Sequence, residues 1–222
     1  MMTEEAIRKT YQPEAAEPIL VISQTGYKQG LYIQYFKRVI DVFLAIVGLI
    51  LSLPIVAIFT VAIMIETTGP AFYTQERVGL MGRSFYVFKL RSMVKNAEEN
   101  GLQWAEKNDS RVTKVGAFIR KTRIDELPQL WNVIKGEMSI VGPRPERSYF
   151  TYQFNSEIPG FVNRLAVKPG LTGWAQINGG YDITPKQKLE LDMQYIDRLS
   201  LRLDLLILLK TVRVVITGEG AR

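Results

Sequence analysis

Two adjacent acids, Asp125 and Glu126, are the residues of this chain that are best placed to do chemistry. Three basic residues closely precede them: Arg120, Lys121 and Arg123. The 222-residue chain contains no His and no Cys, so imidazole acid–base catalysis, thiolate nucleophiles and His/Cys zinc sites are excluded. Any reaction must therefore rest on carboxylates, Lys and Arg side chains, hydroxyls or a hard metal ion.

The residues after this acid pair (Asp125 and Glu126) predict an α-helix. Four apolar residues recur at helical spacing and would form one face: Leu127, Leu130, Trp131 and Ile134. Pro128 is tolerated in a first turn, and Gly136 predicts the helix end. Asp125 is then expected at or beside the N-cap, where the helix dipole lowers the pKa of a carboxylate and attracts phosphate. The alternative is that Asp125 is only a cap and Glu126 only a solvated first-turn acid.

Four basic side chains are candidates for phosphate binding. Arg120 lies one and a half turns before the acid pair if the preceding helix continues. Lys89 and Arg91 follow a short predicted strand, Phe85–Phe88, and could point into the same site. Arg144 lies between two prolines, on a stiff loop suited to bidentate recognition of phosphate. The alternative for each is a solvated or lipid-facing base.

The charge balance favours an anionic partner. Lys and Arg exceed Asp and Glu by 28 to 22, which gives a net charge of +6. Such a balance suits a phosphorylated substrate, an anionic membrane surface or nucleic acid. Nucleic acid is the weaker choice because the chain has no zinc finger, leucine zipper or aromatic RNA-binding signature. Neither a Walker loop nor a GxGxxG fingerprint is present, so the phosphate cradles of kinases and dinucleotide-binding proteins are lacking.

Val42–Ile65 carries no charge over 24 residues and is expected to lie in a membrane. As a straight helix it would reach about 36 Å, enough for a hydrocarbon core of about 30 Å. Pro54 lies near its centre and favours a kink, so that each half would cover only about 18 Å. Basic residues lie on both sides of the segment and do not favour crossing. Two arrangements stay open, a kinked spanning helix and a re-entrant helix, and the second is favoured.

Three further segments have a readable pattern. Residues 97–109 predict an exposed helix and loop, and residues 151–164 predict an amphipathic helix. Leu199–Ile216 combines many aliphatic side chains with three basic ones. This last pattern predicts a helix that lies in the membrane interface, and the alternative is a core helix with a charged edge.

Five motifs, in order along the chain, resemble those of the bacterial sugar transferase family, the monotopic phosphoglycosyl transferases. They are Lys37-Arg38 with Asp41, Phe88–Met93, Ile124–Leu130, Gly142–Pro145 and Pro169–Gln176. The resemblance extends from Lys37 to about Gly220. Any one of these motifs alone would be weak, whereas five in order behind a proline-centred membrane segment form a specific pattern.

The resemblance implies a reaction. A UDP-sugar would donate its sugar 1-phosphate to a polyprenyl phosphate such as undecaprenyl phosphate, in the first membrane step of exopolysaccharide, capsule or O-antigen assembly. Asp125 would be the nucleophile, forming an aspartyl-phosphosugar and releasing UMP, with Mg²⁺ held by Asp125 and Glu126. The residues expected to bind substrate are Lys89, Arg91, Arg120, Pro143, Arg144 and Gln176.

The resemblance also implies an architecture, an α+β and mainly helical fold. Residues 1–30 lie outside the resemblance and, being polar and broken by prolines, are expected to form an extension. A re-entrant membrane helix (31–66) and a catalytic domain (67–222) that ends in an amphipathic helix would follow. The catalytic domain would face the cytoplasm at the bacterial inner membrane and bind no nucleic acid. The competing class is a non-enzymatic, membrane-anchored scaffold of a glycan assembly complex. The sequence specifies neither the sugar nor whether the protein forms a homodimer.

Two departures from the family pattern stand out. The chain has Leu53-Pro54 where many members have Ser-Pro, and Asn178-Gly179-Gly180 where many have Asn-Gly-Arg. The first departure bears on the bend in the membrane helix, because a Ser hydroxyl can satisfy carbonyls that a proline frees. The second departure means that a basic side chain is missing from the expected donor site. Neither affects the acid pair.

Overall fold

The computed structural model describes residues 30–97, 99, 109–179 and 183–217. Helices α1 to α7 are Lys37–Glu66, Lys114–Lys121, Leu130–Lys135, Ser148–Glu157, Trp174–Gly179, Pro185–Asp197 and Leu201–Thr217. A π-helical turn forms at Tyr32–Phe36, and 3₁₀ helices form at Leu80–Gly82, Ile124–Gln129 and Phe161–Ala166. Strands β1 to β4 are Phe72–Val78, Ser84–Leu90, Ser139–Val141 and Gly170–Thr172.

The predicted fold class, α+β and mainly helical, is confirmed. The strand predicted at Phe85–Phe88 lies within β2, and the helix predicted at Leu199–Ile216 is α7. The prediction of one helix over residues 151–164 is wrong. Helix α4 ends at Glu157 because Ile158 is extended before Pro159, as residues before proline prefer. The extension at residues 1–30 and the segment 97–109 fall almost entirely outside the described residues.

Strands β1 and β2 form an antiparallel hairpin, with Phe72 opposite Leu90 and Val78 opposite Ser84. The sequence analysis missed β1, whose side chains are mostly polar and exposed. The connection between the strands is tight, and Met81 takes a left-handed conformation there with φ of 55°. The hairpin holds β2 in a fixed register, with one basic candidate, Lys89, near the end of β2 and another, Arg91, directly after it.

Strands β3 and β4 form a short parallel pair, with Val141 opposite Thr172. Two glycines allow this pair to close. A Cβ on Gly170 would lie 2.1 Å from the backbone nitrogen of Gly142, closer than any side chain tolerates. Gly142 also donates a backbone hydrogen bond of 2.9 Å to Thr172 O. The pair therefore fixes the start of the loop that carries Arg144.

Helix α1 contains the predicted membrane segment and runs through Pro54 without interruption. Among the described helices, it alone is long and apolar enough to cross a membrane, with a mean hydropathy of 2.9. Its buried residues are Asp41, Ala45, Ser52 and Ile63, which lie along nearly its whole length. Only 11% of its most apolar stretch is buried, so one narrow face packs on the domain and the rest is an exposed apolar surface.

The first turns of α1 are tied to the domain by the Lys37-Arg38-Asp41 motif. Arg38 donates to the carbonyls of Val133 and Ile134 at 2.6 and 2.8 Å, at the C-terminal end of α3. Asp41 accepts from Ser139 Oγ at 2.7 Å, and Lys37 Nζ lies 2.6 Å from Asp204 Oδ2 on α7. These polar residues therefore act in the described structure as anchors of α1.

The last turn of α1 is tied to the same domain. Glu66 accepts backbone hydrogen bonds from Lys114 and Val115, the first residues of α2, at 2.8 and 3.0 Å. Carboxylates are favoured at such helix N-termini because the amides there have no intrahelical partner. Arg91 donates to the carbonyls of Thr67 and Thr68 at 2.9 and 2.8 Å. Both ends of the apolar helix are thus held by the part of the chain that follows it.

The largest core cluster lies beneath the acid pair. It joins β2, α3, α6 and α7 through side chains of which no more than 1% is exposed: Val87, Val133, Met138, Tyr195 and Ile207. Burial of such side chains is the main favourable term in folding, at about 25 cal/mol for each Å² removed from water. The core therefore holds β2 and α3, the elements next to the acid pair, in fixed positions.

Candidate active site

The acid pair lies on a 3₁₀ helix, Ile124–Gln129, and the prediction that Asp125 caps an α-helix is wrong. Helix α3 begins only at Leu130, after Pro128. Arg123 precedes the acid pair in a left-handed conformation, with φ of 57°, which is costly for a residue other than Gly and is most often kept at functional sites. The predicted helix end is confirmed, since Gly136 follows α3 with φ of 89°.

The apolar face predicted for this helix is also partly wrong. Trp131 is 48% exposed, whereas the neighbouring Asn132 is fully buried. The Asn132 amide accepts from the backbone N–H of Phe88 at 3.1 Å and donates to Tyr86 O at 2.7 Å. Burial of this polar group is tolerated because its amide is hydrogen-bonded. These bonds attach α3 to β2 and so fix the acid pair relative to Lys89.

Glu126 is buried and held by two cations. Lys89 Nζ donates to Glu126 Oε1 at 3.1 Å, and the Arg144 guanidinium bonds both carboxylate oxygens in a forked geometry. Burial alone would raise the pKa of Glu126, but Arg144 and Lys89 outweigh it and hold this pKa well below its usual range. Glu126 is therefore ionised, and it forms ion pairs with Lys89 of β2 and with Arg144 of the Gly142–Pro145 loop.

The Asp125 carboxylate is also buried, with 8% of the residue exposed, yet it accepts no hydrogen bond from any described residue. Burial and the adjacent Glu126 raise the pKa of Asp125 to about 6, against the opposing charges of Lys89, Arg144 and Arg120. The predicted lowering of this pKa is wrong, because burial and the charge of Glu126 outweigh the nearby cations. The Asp125 carboxylate therefore lines a cavity and has no hydrogen-bond partner among the described residues.

The other predicted basic residues divide into two kinds. Arg120 belongs to the site, since it contributes to the electrostatics of Asp125 and lines the same cavity, with Nε donating to Ser92 Oγ at 2.8 Å. Helix α2, which contains Arg120, does not continue to the acid pair but ends at Lys121. Arg91 lines the cavity as well, but its guanidinium is occupied by the end of α1, as described above.

Pro143 and Gln176 differ in their relation to the cavity. Pro143 is buried and not among the lining residues, and its carbonyl accepts from Gly170 N at 2.9 Å. Gln176 lines the cavity and donates from Nε2 to Leu171 O at 3.0 Å. Its Oε1 atom is buried without a hydrogen-bond partner in the described structure. Pro143 thus shapes the Arg144 loop, whereas Gln176 presents an unsatisfied acceptor.

A cavity of about 640 Å³ opens beside the acid pair, a volume typical of a site for a complete small-molecule ligand. We call it the basic cavity. Its basic lining residues are Arg77, Lys89, Arg91, Lys95, Arg111, Arg120, Arg123, Arg144, Arg147, Arg164 and Lys188. The only acids that line it, within the part of the chain described, are Asp125, Glu126 and Glu146. This excess of positive charge suits a ligand with several negative charges, such as a diphosphate.

A family model described as bacterial sugar transferase matches residues 32–218. The chain belongs to this family. It is 46% identical over 191 residues to a UDP-N-acetylgalactosamine-undecaprenyl-phosphate N-acetylgalactosaminephosphotransferase of Aeromonas hydrophila, covering 85% of this chain and 45% of that protein. The resemblance inferred from the five sequence motifs is thereby confirmed.

Two further relatives carry the name UDP-glucose:undecaprenyl-phosphate glucose-1-phosphate transferase. The one from Xanthomonas campestris pv. campestris is 41% identical over 204 residues, covering 89% of this chain and 42% of that protein. The one from Caulobacter vibrioides is 40% identical over 208 residues, covering 91% of this chain and 78% of that protein. This member of the bacterial sugar transferase family thus spans less than half the length of the Aeromonas and Xanthomonas proteins.

Several residues of the basic cavity were missed in the sequence analysis, above all a buried ion-pair network around Glu146. Lys188 Nζ lies 2.7 Å and Arg164 Nη1 3.7 Å from Glu146 Oε1, and Arg77 Nη1 lies 3.9 Å from Oε2. Despite its burial, these charges lower the pKa of Glu146 to about 2. Arg164 also donates to Arg144 O at 2.8 Å. The network therefore supports the loop that brings Arg144 to Glu126.

The donor set of the site fits a Mg²⁺ ion that is shared with a substrate. Within the described residues, no three or more His, Cys, Asp or Glu side chains cluster in a way that could hold a metal ion. Mg²⁺ often uses only one or two protein carboxylates and completes its shell with phosphate oxygens and water. Asp125 offers a carboxylate without hydrogen bonds, whereas the Glu126 oxygens are already bound by Lys89 and Arg144. Asp125 is thus the better placed ligand.

Proposed function

We propose that this protein transfers a sugar 1-phosphate from a UDP-sugar to a polyprenyl phosphate, producing a polyprenyl diphosphate sugar and UMP. The observation that carries the proposal is the unpaired carboxylate of Asp125 at the edge of the basic cavity. The names of the relatives support it, since they specify undecaprenyl phosphate as acceptor and a UDP-sugar as donor. The exposed apolar face of α1 supports an acceptor that resides in lipid.

In the first step, an oxygen of Asp125 attacks the phosphorus that bears the sugar. The bond from this phosphorus to the bridging oxygen of the diphosphate breaks, and UMP leaves with the electron pair. The product is an acyl phosphate in which Asp125 carries the phosphosugar. No proton has to move, because a carboxylate with a pKa of about 6 is mostly ionised at neutral pH. A site without His is therefore suited to this step.

In the second step, a phosphate oxygen of the polyprenyl phosphate attacks the same phosphorus. The bond between phosphorus and the Asp125 oxygen breaks, which restores the carboxylate and yields the polyprenyl diphosphate sugar. Each step replaces one anhydride bond of the phosphorus by another, so the electron pairs balance without an oxidant or reductant. Asp125 is thus the nucleophile of the first step and the leaving group of the second.

The basic residues stabilise charge rather than move protons. Lys89 and Arg144 are fixed by Glu126 and would face the developing negative charge of the transferring phosphoryl group. Such preorganised cations are effective because they need no rearrangement when the reaction begins. Arg120, oriented by Ser92, would bind the same diphosphate. Glu126 thus acts mainly by holding two cations beside Asp125.

A Mg²⁺ ion is proposed as the cofactor. Asp125 would hold it, with Glu126 beside it, and the diphosphate of the donor would complete the binding site. When bound, Mg²⁺ neutralises negative charge on the phosphate oxygens and the leaving group.

We further propose that α1 enters the membrane without crossing it, so that the catalytic domain stays on one face, the cytoplasmic one. The support is the attachment of both helix ends to the same domain, through Arg38 and Asp41 at one end and Glu66 at the other. A spanning helix would place its two ends on opposite faces of the membrane. Ser52 also donates to Leu49 O at 3.1 Å next to Pro54, where a proline weakens the helix.

The function is tested by UMP release from protein in detergent, with Mg²⁺, undecaprenyl phosphate and one UDP-sugar at a time. UDP-N-acetylgalactosamine and UDP-glucose are the first donors to test, since the relatives are named for them. Release with one of the tested donors that depends on the acceptor supports the proposal and names the sugar. Absence of release from folded protein with every donor would favour a non-enzymatic scaffold.

A further inference from the structure

A second, smaller cavity adjoins the basic cavity and has a different character. Its volume is about 210 Å³, and it lies between α7, β4 and the segment that follows the acid pair. Apolar side chains dominate its lining, including Leu127, Ile140, Leu171, Leu208, Val214 and Val215. We call it the apolar groove. The reaction steps above place none of these six side chains at the donor.

The apolar groove meets the basic cavity at three residues. Arg123, Glu126 and Gln176 line both. Arg123 brings a positive charge to this junction on a left-handed backbone, a costly conformation for Arg. Gln176 has its buried Oε1 atom without a hydrogen-bond partner among the described residues. A ligand at the junction would therefore meet charge and polarity at one end and hydrocarbon at the other.

The far side of the groove leads to an exposed apolar surface. Helix α7 contributes Leu208, Val214 and Val215 to the groove, while Leu209 and Val212 on the same helix are 72% and 58% exposed. An exposed apolar helix face of this kind is typical of contact with lipid. The groove is smaller than the 300–1,000 Å³ of a typical small-molecule site, so it suits one end of a long molecule.

We infer that the apolar groove binds the first isoprene units of the polyprenyl phosphate, with the phosphate at Arg123 and the remaining chain running along α7 into the lipid. This inference rests on the proposed function and adds the place of the acceptor. It explains how two anionic substrates react in turn at one site: the donor enters through the basic cavity, and after UMP has left, the acceptor phosphate reaches the phosphorus on Asp125 from the groove.

The test separates the two half-reactions. The variant Val214→Trp fills the groove, and the matched control Val212→Trp places the same side chain on the exposed face of α7. UMP release is first measured with donor and Mg²⁺ alone, as a single turnover that needs no acceptor. Transfer to undecaprenyl phosphate is then measured as a function of acceptor concentration. CD spectra of all variants check that the helices are intact.

We expect Val214→Trp to raise the KM for undecaprenyl phosphate by at least about tenfold, while the donor half-reaction and the KM of Val212→Trp stay close to wild type. An unchanged acceptor KM in Val214→Trp, or an equal rise in Val212→Trp, overturns the inference. If Val214→Trp fails to fold, Val214→Ala carries the test, with a smaller rise expected. Absence of donor turnover in the wild-type protein would refute the proposed function instead.

Discussion

The Nζ atom of Lys89 lies 3.1 Å from Glu126 Oε1, an ion pair that joins the end of β2 to the acid pair. Arg144 bonds the same carboxylate from the other side. Glu126 is thereby neutralised, whereas Asp125 next to it has no hydrogen-bond partner in the described structure. Two adjacent acids therefore differ in role because their surroundings differ. We therefore expect Glu126 to hold cations in place and Asp125 to be the residue that reacts.

Replacement of Glu126 should affect catalysis through the cations. In Glu126→Gln, Lys89 and Arg144 lose their buried counter-charge and are expected to leave their positions beside Asp125. We expect kcat to fall by about 100-fold, roughly the effect of losing preorganised charge stabilisation at a reacting group. The measurement is UMP release at saturating donor. A kcat within a factor of two of wild type would show that Glu126 does not organise the site.

Arg144 should not be replaceable by Lys. A guanidinium bonds both oxygens of Glu126, whereas an ammonium group is a point charge without this forked geometry. We expect Arg144→Lys to raise the KM for the donor by about tenfold or more and to lower kcat. Arg83→Lys is the matched control, because Arg83 is exposed and lies outside both cavities. Equal kinetics of the two variants would contradict the assignment.

Arg91 should matter for stability rather than for phosphate binding. Its guanidinium donates to Thr67 O, Thr67 Oγ1 and Thr68 O at the end of α1. We expect Arg91→Ala to lower the free energy of unfolding by about 2–3 kcal/mol, since loss of the buried guanidinium removes three hydrogen bonds that hold the end of α1. Lys89→Ala, two positions earlier, should instead reduce activity with a smaller effect on stability. Thermal unfolding and UMP release of both variants distinguish the roles.

The Glu146 network should make stability depend on acid pH. The pKa of Glu146 is about 2 in the folded protein against 4.5 for an unperturbed Glu. Since the folded value is lower, the carboxylate stabilises the fold fully above pH 4.5, and this contribution is lost as the pH falls from 4.5 towards 2. Its magnitude is about 3 kcal/mol.

The comparison of wild type with Glu146→Gln isolates this contribution from that of other carboxylates. At neutral pH the variant is expected to be less stable, because Lys188 loses its charged partner and Arg164 keeps only Asp192. Below pH 4.5 the two proteins should converge as Glu146 becomes protonated. Denaturant unfolding across this range is the measurement. A stability difference that stays constant down to pH 2 would rule out the assigned pKa.

The sequence predicted the parts of this protein that local pattern determines. The apolar segment of α1 and the aliphatic run of α7 are long enough to be recognised by composition. Asp125 was predicted as a site residue because basic residues precede it and a second acid follows it. Arg144 was predicted because it lies between two prolines. The end of α3 was predicted correctly because Gly136 has a conformation that favours glycine.

The parts that were missed depend on contacts between distant segments. Asn132 is buried only because β2 offers it backbone partners more than forty positions away. Glu146 meets Lys188 and Arg77 through tertiary packing that no local spacing reveals. The raised pKa of Asp125 likewise results from burial in the folded protein and from the charge of Glu126 beside it. Local sequence therefore predicted candidate site residues but not their environment.

The proposal that Asp125 is the nucleophile is tested most directly by the mass of the protein after incubation with Mg²⁺ and its UDP-sugar donor in the absence of acceptor. We predict an adduct of one phosphosugar per chain, located on Asp125 by peptide mapping and discharged by undecaprenyl phosphate. Asp125→Asn should fold, bind membrane and form no adduct. Turnover by Asp125→Asn, or an adduct on any other residue, would contradict the claim that Asp125 is the nucleophile.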